Sequence, residues 1–225
     1  MFKQHLTGAD YFIITANLVP LYGVLFMDWQ AGSMFLVYCL ETVIIGIANV
    51  IKMSLVTIIS DCGHDGLKAG EGKSISGWPL IAFFIVHYGI FVFIQTQMFF
   101  HISNLISDDS FIVGYSKVVG RLGHEGRIVL LIFIISYTLQ VFYSFGISGQ
   151  YRTISIGRLM FQPYARIFVQ QFVVIIGSMF LALGAGKVFM IVFVLVKIIF
   201  EVFINIDKYL QAAEAKTLAE ERSIQ

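Results

Sequence analysis

Several ionisable side chains of this chain lie inside long apolar stretches, where they are positioned to bind a ligand or carry a proton. Lys197 and Glu201 are four residues apart, so they share one face of a helix. That spacing predicts an ion pair that neutralises both groups. His87 lies within another apolar stretch and is the residue type best suited to proton or ligand binding near neutral pH. Glu41 needs a cation or hydrogen-bond donors if it is to stay ionised there.

Amide and phenol side chains add further polar positions inside the apolar stretches. Asn49 lies two helical turns after Glu41, and Asn205 lies two turns after Lys197. Polar groups at similar depths on separate helices predict one interior site, because each is costly to expose to lipid. The candidate binding residues are Glu41, Asn49, His87, Gln95, Tyr137, Gln171, Lys197, Glu201 and Asn205.

The same residues also have a structural interpretation. A buried histidine is often only hydrogen-bonded to its neighbours, and a lysine–glutamate pair can serve only to fix the register of a helix. For His87 and for the Lys197–Glu201 pair, the sequence leaves both interpretations open.

The composition places most of the chain in lipid. Hydrophobic residues make up 58% of the sequence and charged residues 13%, and the mean hydropathy is +0.84. A soluble protein cannot bury that much apolar surface. The net charge is only +1, and most of the charged residues lie in loops and not on a basic face, so no nucleic-acid partner is expected. Two isolated cysteines predict neither a disulfide framework nor a CxxC site.

The apolar stretches predict an all-α, polytopic transmembrane bundle, because a helix satisfies its own backbone in lipid. Six spans are predicted, followed by a cytosolic helical tail, which divides the chain into a transmembrane domain at 1–206 and the tail at 207–225. The predicted spans are 11–27, 33–57, 78–106, 127–147, 164–184 and 186–206. The segment 148–163, which mixes arginine with aromatic and aliphatic residues, is predicted to lie along the headgroups.

Basic residues predict the orientation of the bundle in a cell inner membrane. Nine basic residues fall on the side of the two termini and four on the opposite side, which predicts that both termini are cytoplasmic. The nine are Lys3, Lys68, Lys73, Arg152, Arg158, Arg166, Lys208, Lys216 and Arg222, and the four are Lys117, Arg121, Arg127 and Lys187. The first apolar stretch has no small-residue cleavage pattern and is therefore predicted to be a retained span.

Five short segments resemble a family of uncharacterised prokaryotic integral membrane proteins, a domain of unknown function with no established activity. The segments are PLYGVLFMDW, YCLETVIIGIANVIKM, FFIVHYGIF, RLMFQPYARI and a late VLVK, and the resemblance covers about 17–205. His87 matches the histidine of the HYG motif, and Glu41 matches the acidic position of the second span.

The resemblance also implies departures from the family pattern. Gln95, Tyr137, Gln171 and Asn205 stand where the family often has histidine, and Glu201 stands where it has aspartate. Several histidines with a carboxylate would be typical of a transition-metal or haem site. Glutamine and tyrosine keep the polarity but lose most of that affinity. The resemblance therefore implies a shared polar chamber and no metal, with His87, Glu41 and Glu201 as the remaining ligands if one is bound.

Three functions are compatible with these features, and the sequence identifies no cofactor. The first is a membrane protein that binds or conducts a proton, an ion or a small polar molecule. The second is a structural or accessory subunit of a larger complex, in which polar residues specify helix packing. The third is a metal- or quinone-dependent redox protein. The lipid bilayer is the expected partner, and a homo-oligomer or a further membrane subunit stays open.

Overall fold

The computed structural model describes residues 8–59, 68–69, 73–74, 77–102, 120, 122–147, 149–152 and 154–203. Apart from one short strand pair, the elements in these ranges are helices. In chain order they are α1 (Gly8–Phe26), α2 (Ala31–Ile59), β1 (Lys68–Ala69), β2 (Lys73–Ser74), α3 (Gly77–Ile102), α4 (Gly123–Gln140), a 3-10 turn (Gln150–Arg152), α5 (Ile156–Ala182) and α6 (Gly186–Ile198). β1 and β2 are antiparallel, with Lys68 opposite Ser74.

Two helices change to π-helical geometry at their carboxyl ends. α4 continues as Val141–Ile147 and α6 continues as Ile199–Phe203. Short π-helical segments are rare and occur often at functional sites. The first segment begins four residues after Tyr137 and the second begins two residues after Lys197, and both of these side chains contact Glu41.

Helix α2 lies at the centre of the bundle. The most apolar part of α2 is 61% buried, compared with 28% for that of α3 and 18% for that of α4. α2 packs against α3, α4 and α5 along its length. A helix that is apolar on every face is suited to such a central position.

The core consists of two apolar clusters at different heights of the bundle. The first cluster surrounds the start of α2 and includes Phe35, Tyr38, Phe99, Phe133 and Phe193. The second surrounds the end of α2 and includes Met53, Phe84, Tyr88, Phe145 and Leu159. Buried polar residues lie between them, at the level of Glu41 and Thr42.

Contacts along α2 give the direction of its neighbours. On α3, Phe99 stacks near Phe35 and Tyr88 packs on Gly46, so α3 is antiparallel to α2. On α6, Phe193 contacts Tyr38 of α2. Lys197, four residues after Phe193, contacts Glu41, three residues after Tyr38, so α6 is parallel to α2. The pairs Phe133–Tyr38 and Tyr137–Glu41 show that α4 is also parallel to α2.

Tight turns connect the antiparallel neighbours. After α5, Gly184 adopts a left-handed φ of 76°, which a residue without Cβ does without strain. The Ala185 N–H donates to the Phe180 carbonyl at 2.9 Å and closes that turn. In the α1–α2 turn, Asp28 has φ 54°, and its carboxylate pairs with Lys187 at 3.1 Å. Because both side chains are exposed, this pair contributes at most about 1 kcal/mol.

The structure confirms the all-α class and a membrane-type composition of the helices. Three helices among the described residues are long and apolar enough to cross a membrane: Ala31–Ile59, Gly77–Phe99 and Gly123–Ile147. Ile14–Phe26 is a shorter apolar helix.

One predicted boundary is wrong. The segment 148–163 was expected to precede the fifth span, but α5 begins at Ile156 and takes in Pro163. The helix starts early because the Ser155 hydroxyl accepts a hydrogen bond from the Arg158 N–H at 3.2 Å, which caps its first turn. The predicted cytosolic tail at 207–225 and Asn205 lie outside the described residues, and so does the side chain of Glu201.

Candidate functional site

A buried ion pair joins the central helix to the last helix. The Lys197 ammonium on α6 donates to Glu41 Oε1 on α2 at 2.9 Å, and the two side chains are 6% and 1% exposed. The Tyr137 hydroxyl on α4 donates to the same oxygen at 2.8 Å. Three helices thus converge on one carboxylate oxygen. We call the residues Glu41, Tyr137 and Lys197 the Glu41 site.

Aromatic rings lie around the ammonium group. Lys197 Nζ is 5.5 Å from the ring centroid of Tyr38 and 5.8 Å from that of Phe133. Tyr38 is itself fixed by an edge-on contact with Phe193 and by donating its hydroxyl to the Asn17 carbonyl at 3.2 Å. Ring faces attract a cation within about 6 Å. The charged form of Lys197 is therefore stabilised by Glu41 and by these two rings.

Lys197 has an ion-pair partner that the spacing did not predict. The i, i+4 rule pointed to Glu201, whereas the described ion pair is made with Glu41 on another helix. The side chain of Glu201 lies outside the described part of the chain, so the Lys197–Glu201 pair stays a prediction.

Two glutamines lie near the level of the Glu41 site. Gln95 on α3 is 1% exposed, and its amide faces the Cys39 thiol of α2. Within the described residues, neither amide atom of Gln95 reaches full hydrogen-bonding geometry. Gln171 on α5 is half-buried, and its Oε1 likewise meets no donor in the described part of the chain. On α5, Leu159 lies opposite Asn49 of α2, and Gly177 lies opposite Phe35. This register places Gln171 close to the level of Glu41.

Asn49 has a structural role that the sequence did not predict. Its Nδ2 donates to the Leu159 carbonyl on α5 at 2.8 Å. Pro163 lies four residues after Leu159 and has no N–H, so the helix itself cannot satisfy that carbonyl. Asn49 supplies the missing donor from α2. It therefore lies beside Met53 and Leu159 of the second apolar cluster, about two helical turns from the Glu41 site.

Replacing Asn49 with alanine is expected to destabilise the protein by about 1–3 kcal/mol, because the buried Leu159 carbonyl loses its donor. Pro163→Ala restores an N–H at that point of α5, so Asn49→Ala in the Pro163→Ala background is expected to cost less than half as much. Unfolding of the four proteins in mixed micelles measures both values. An equal cost of Asn49→Ala in the two backgrounds would show that the proline does not create the need for Asn49.

His87 lies in a separate aromatic group. Its Nδ1 is 2.7 Å from the Tyr164 hydroxyl on α5, and its ring stacks on Phe83 and meets Phe91 edge-on. The structure therefore brings together Glu41, Tyr137 and Lys197 among the predicted residues. It places His87 and Asn49 with α5 instead.

Sequence reasoning missed the aromatic partners of these groups. Tyr38 precedes Glu41 by three residues, and Phe133 precedes Tyr137 by four, so both pairs share a helical face. That spacing was a usable signal for rings beside a buried charge. Tyr164 carried no comparable signal, because its distance from His87 along the chain is 77 residues. Within the described residues, no group of three or more His, Cys, Asp or Glu side chains could hold a metal ion.

The fold and the site define an α-helical bundle whose long apolar helices are compatible with a membrane protein and whose centre contains a buried charge pair. The chain belongs to a family of unknown function, DUF6498, whose profile matches residues 2–222. No curated protein and no solved structure matches the chain significantly.

Proposed function

We propose that this chain is a multi-pass inner-membrane protein whose Glu41 site binds or conducts a proton, an ion or a small polar molecule within the bilayer. The buried Lys197–Glu41 pair with its Tyr137 donor carries the proposal. Charged groups at membrane depth are costly and often mark ion or substrate paths. Here a carboxylate, an ammonium and a phenol meet where three helices converge.

The proposed topology has six spans with both termini in the cytoplasm. The alternating direction of α1 to α3, the parallel course of α2, α4 and α6, and the excess of basic residues on the side of the termini support it. In this topology the lipid bilayer is the partner of the exposed apolar faces of α3 and α4. The two apolar clusters then lie toward opposite faces of the membrane, with the Glu41 site between them.

A second candidate is a structural or accessory membrane subunit. Hydrogen bonds between helices favour it: Tyr88 donates to the Thr42 carbonyl at 2.9 Å, and Asn49 donates to the Leu159 carbonyl at 2.8 Å. Such bonds contribute about 0.6 kcal/mol each on average in membrane proteins and help to specify helix packing. In that case the ion pair would serve the same purpose and would not exchange with solution.

Proton flux into vesicles separates the two candidates. Purified protein is reconstituted into lipid vesicles that contain a pH-sensitive dye, with potassium chloride and valinomycin on both sides, and the outer pH is lowered. We expect faster internal acidification than in empty vesicles, and we expect Glu41→Gln to return the rate to the empty-vesicle value. Glu125→Gln is the matched control, because Glu125 is exposed at the start of α4. A wild-type rate equal to that of empty vesicles favours the structural subunit.

A further inference from the structure

Two hydrogen-bond donors point at one oxygen in the Glu41 site. The Tyr137 hydroxyl and the Lys197 ammonium approach Glu41 Oε1 at 2.8 and 2.9 Å from α4 and α6. A hydrogen bond from an ammonium group and another from a hydroxyl are the kinds of contact with which proteins bind small anions. In this protein the carboxylate belongs to the chain itself.

We infer that Tyr137 and Lys197 form a binding site for a small monovalent anion, such as a short carboxylate, in which Glu41 is the resident competitor. The anion takes the position of Glu41 Oε1 between the two donors. This inference rests on the proposed function, because it names the ligand class of the same site.

Charge balance couples the anion to a proton. Glu41 and Lys197 together carry no net charge when both are ionised. Adding an anion would leave one uncompensated negative charge in a buried place, which is strongly unfavourable. Protonation of Glu41 removes that charge, so each anion is expected to bind together with one proton from solution. Transport by such a site would move no net charge across the membrane.

The aromatic rings beside Lys197 favour Glu41 over Lys197 as the group that changes its charge. The titratable groups in contact with the pair include Tyr137 from α4 and Tyr38 from α2 itself. At about the same level, α1, α3 and α5 contribute Asn17, Gln95 and Gln171, which do not titrate. The rings of Tyr38 and Phe133 stabilise the ammonium and offer nothing comparable to a carboxylate.

The same arrangement disfavours a metal cation as the ligand. Hard cations take about six or more oxygen ligands. In the described part of the chain, the groups in contact with the Glu41 carboxylate include an ammonium and a phenol, both of which donate. A cation at this point would have to displace Lys197 from the rings that stabilise it.

Calorimetric titration of the purified protein with potassium formate tests the inference. Repeating the titration in two buffers of different ionisation enthalpy gives the number of protons taken up with each anion. We expect one proton per formate for the wild-type protein, with an affinity that falls about tenfold per unit rise in pH. Potassium gluconate supplies the same cation with a bulky anion, and it is expected to give no binding. An equal response to gluconate overturns the proposal.

Variants assign each role. Glu41→Gln is expected to bind formate without proton uptake and independently of pH. Lys197→Met and the double variant Glu41→Gln/Lys197→Met are expected to lose binding, and the double variant guards against a loss caused by misfolding, because it leaves no unpaired charge. Tyr137→Phe is expected to weaken binding about tenfold and to leave the proton count unchanged. Lys187→Met, in the same helix but exposed, is the control that keeps wild-type binding.

The outcomes separate this inference from the proposed function. Proton flux that depends on Glu41 without any formate binding overturns the anion site and leaves the proposed function intact. Formate binding by the wild-type protein that survives in Glu41→Gln/Lys197→Met, or that occurs without proton uptake, also overturns it. Absence of both flux and binding contradicts the proposed function and the anion site together.

Discussion

Replacing Lys197 with methionine is expected to destabilise the folded protein by about 3–5 kcal/mol. The change keeps the length of the side chain and its contact with the Tyr38 ring but leaves the Glu41 carboxylate without its ammonium donor. Removing one member of a buried ion pair costs this much because the other charge stays desolvated. Unfolding in mixed micelles, followed by circular dichroism at several detergent ratios, measures the change.

The double variant Glu41→Gln/Lys197→Met is expected to recover most of that loss, since neither residue is then charged. Lys187→Met provides the control in the same helix, and it is expected to change stability by no more than about 1 kcal/mol because its ion pair with Asp28 is exposed. A Lys197→Met protein as stable as the wild-type protein would show that the Glu41–Lys197 pair makes no net contribution.

Gly177→Ala is also expected to destabilise the folded protein, by about 1–3 kcal/mol. A Cβ at this position would lie 2.2 Å from Cε1 of Phe189 and 2.7 Å from Cε1 of Phe35. Both rings belong to the first apolar cluster, where Phe35 also packs on Phe193. The rings cannot move apart without opening the contact between α2, α5 and α6. Overpacking of this kind forces strained rotamers or small backbone shifts.

Gly89 offers the matched control for this change. It lies in the middle of α3, and a Cβ built there has no atom within 4 Å. Gly89→Ala is therefore expected to leave stability unchanged or to raise it by up to about 1 kcal/mol through helix propensity. Thermal melting of both variants in the same detergent compares them directly. Equal melting temperatures would show that the α5–α6 contact is looser than the structure indicates.

Much of the fold follows from apolar periodicity, as α2 and α3 illustrate. Their predicted ranges, 33–57 and 78–106, overlap nearly all of Ala31–Ile59 and Gly77–Ile102. Continuous apolar runs of this length have one backbone solution in lipid, so local sequence was enough. α5 was mispredicted at its start, because its first two turns contain Arg158 and Pro163 and depend on a capping serine and on a donor from α2.

Less of the site was predictable. The residue types of the Glu41 site were identified from depth alone, but their partners were not. Lys197 and Glu41 are 156 residues apart, and helix rotation, which decides whether two side chains at one depth meet, is not encoded in spacing. His87 shows why depth alone is not enough: like Glu41 it lies within a long apolar stretch, yet it faces Tyr164 on α5.

The distance in sequence between Glu41 and Lys197 also has a consequence for how the chain is made. In the proposed topology the translocon receives α2 long before the ribosome has synthesised α6. A lysine at the centre of a membrane span adds about 2.5–3.5 kcal/mol to the cost of insertion. Lys197 lies near the centre of the predicted span 186–206. α6 is therefore expected to insert against an α2 that already presents its carboxylate. In that case, the last span is expected to enter the membrane stably only when the second span has been placed correctly.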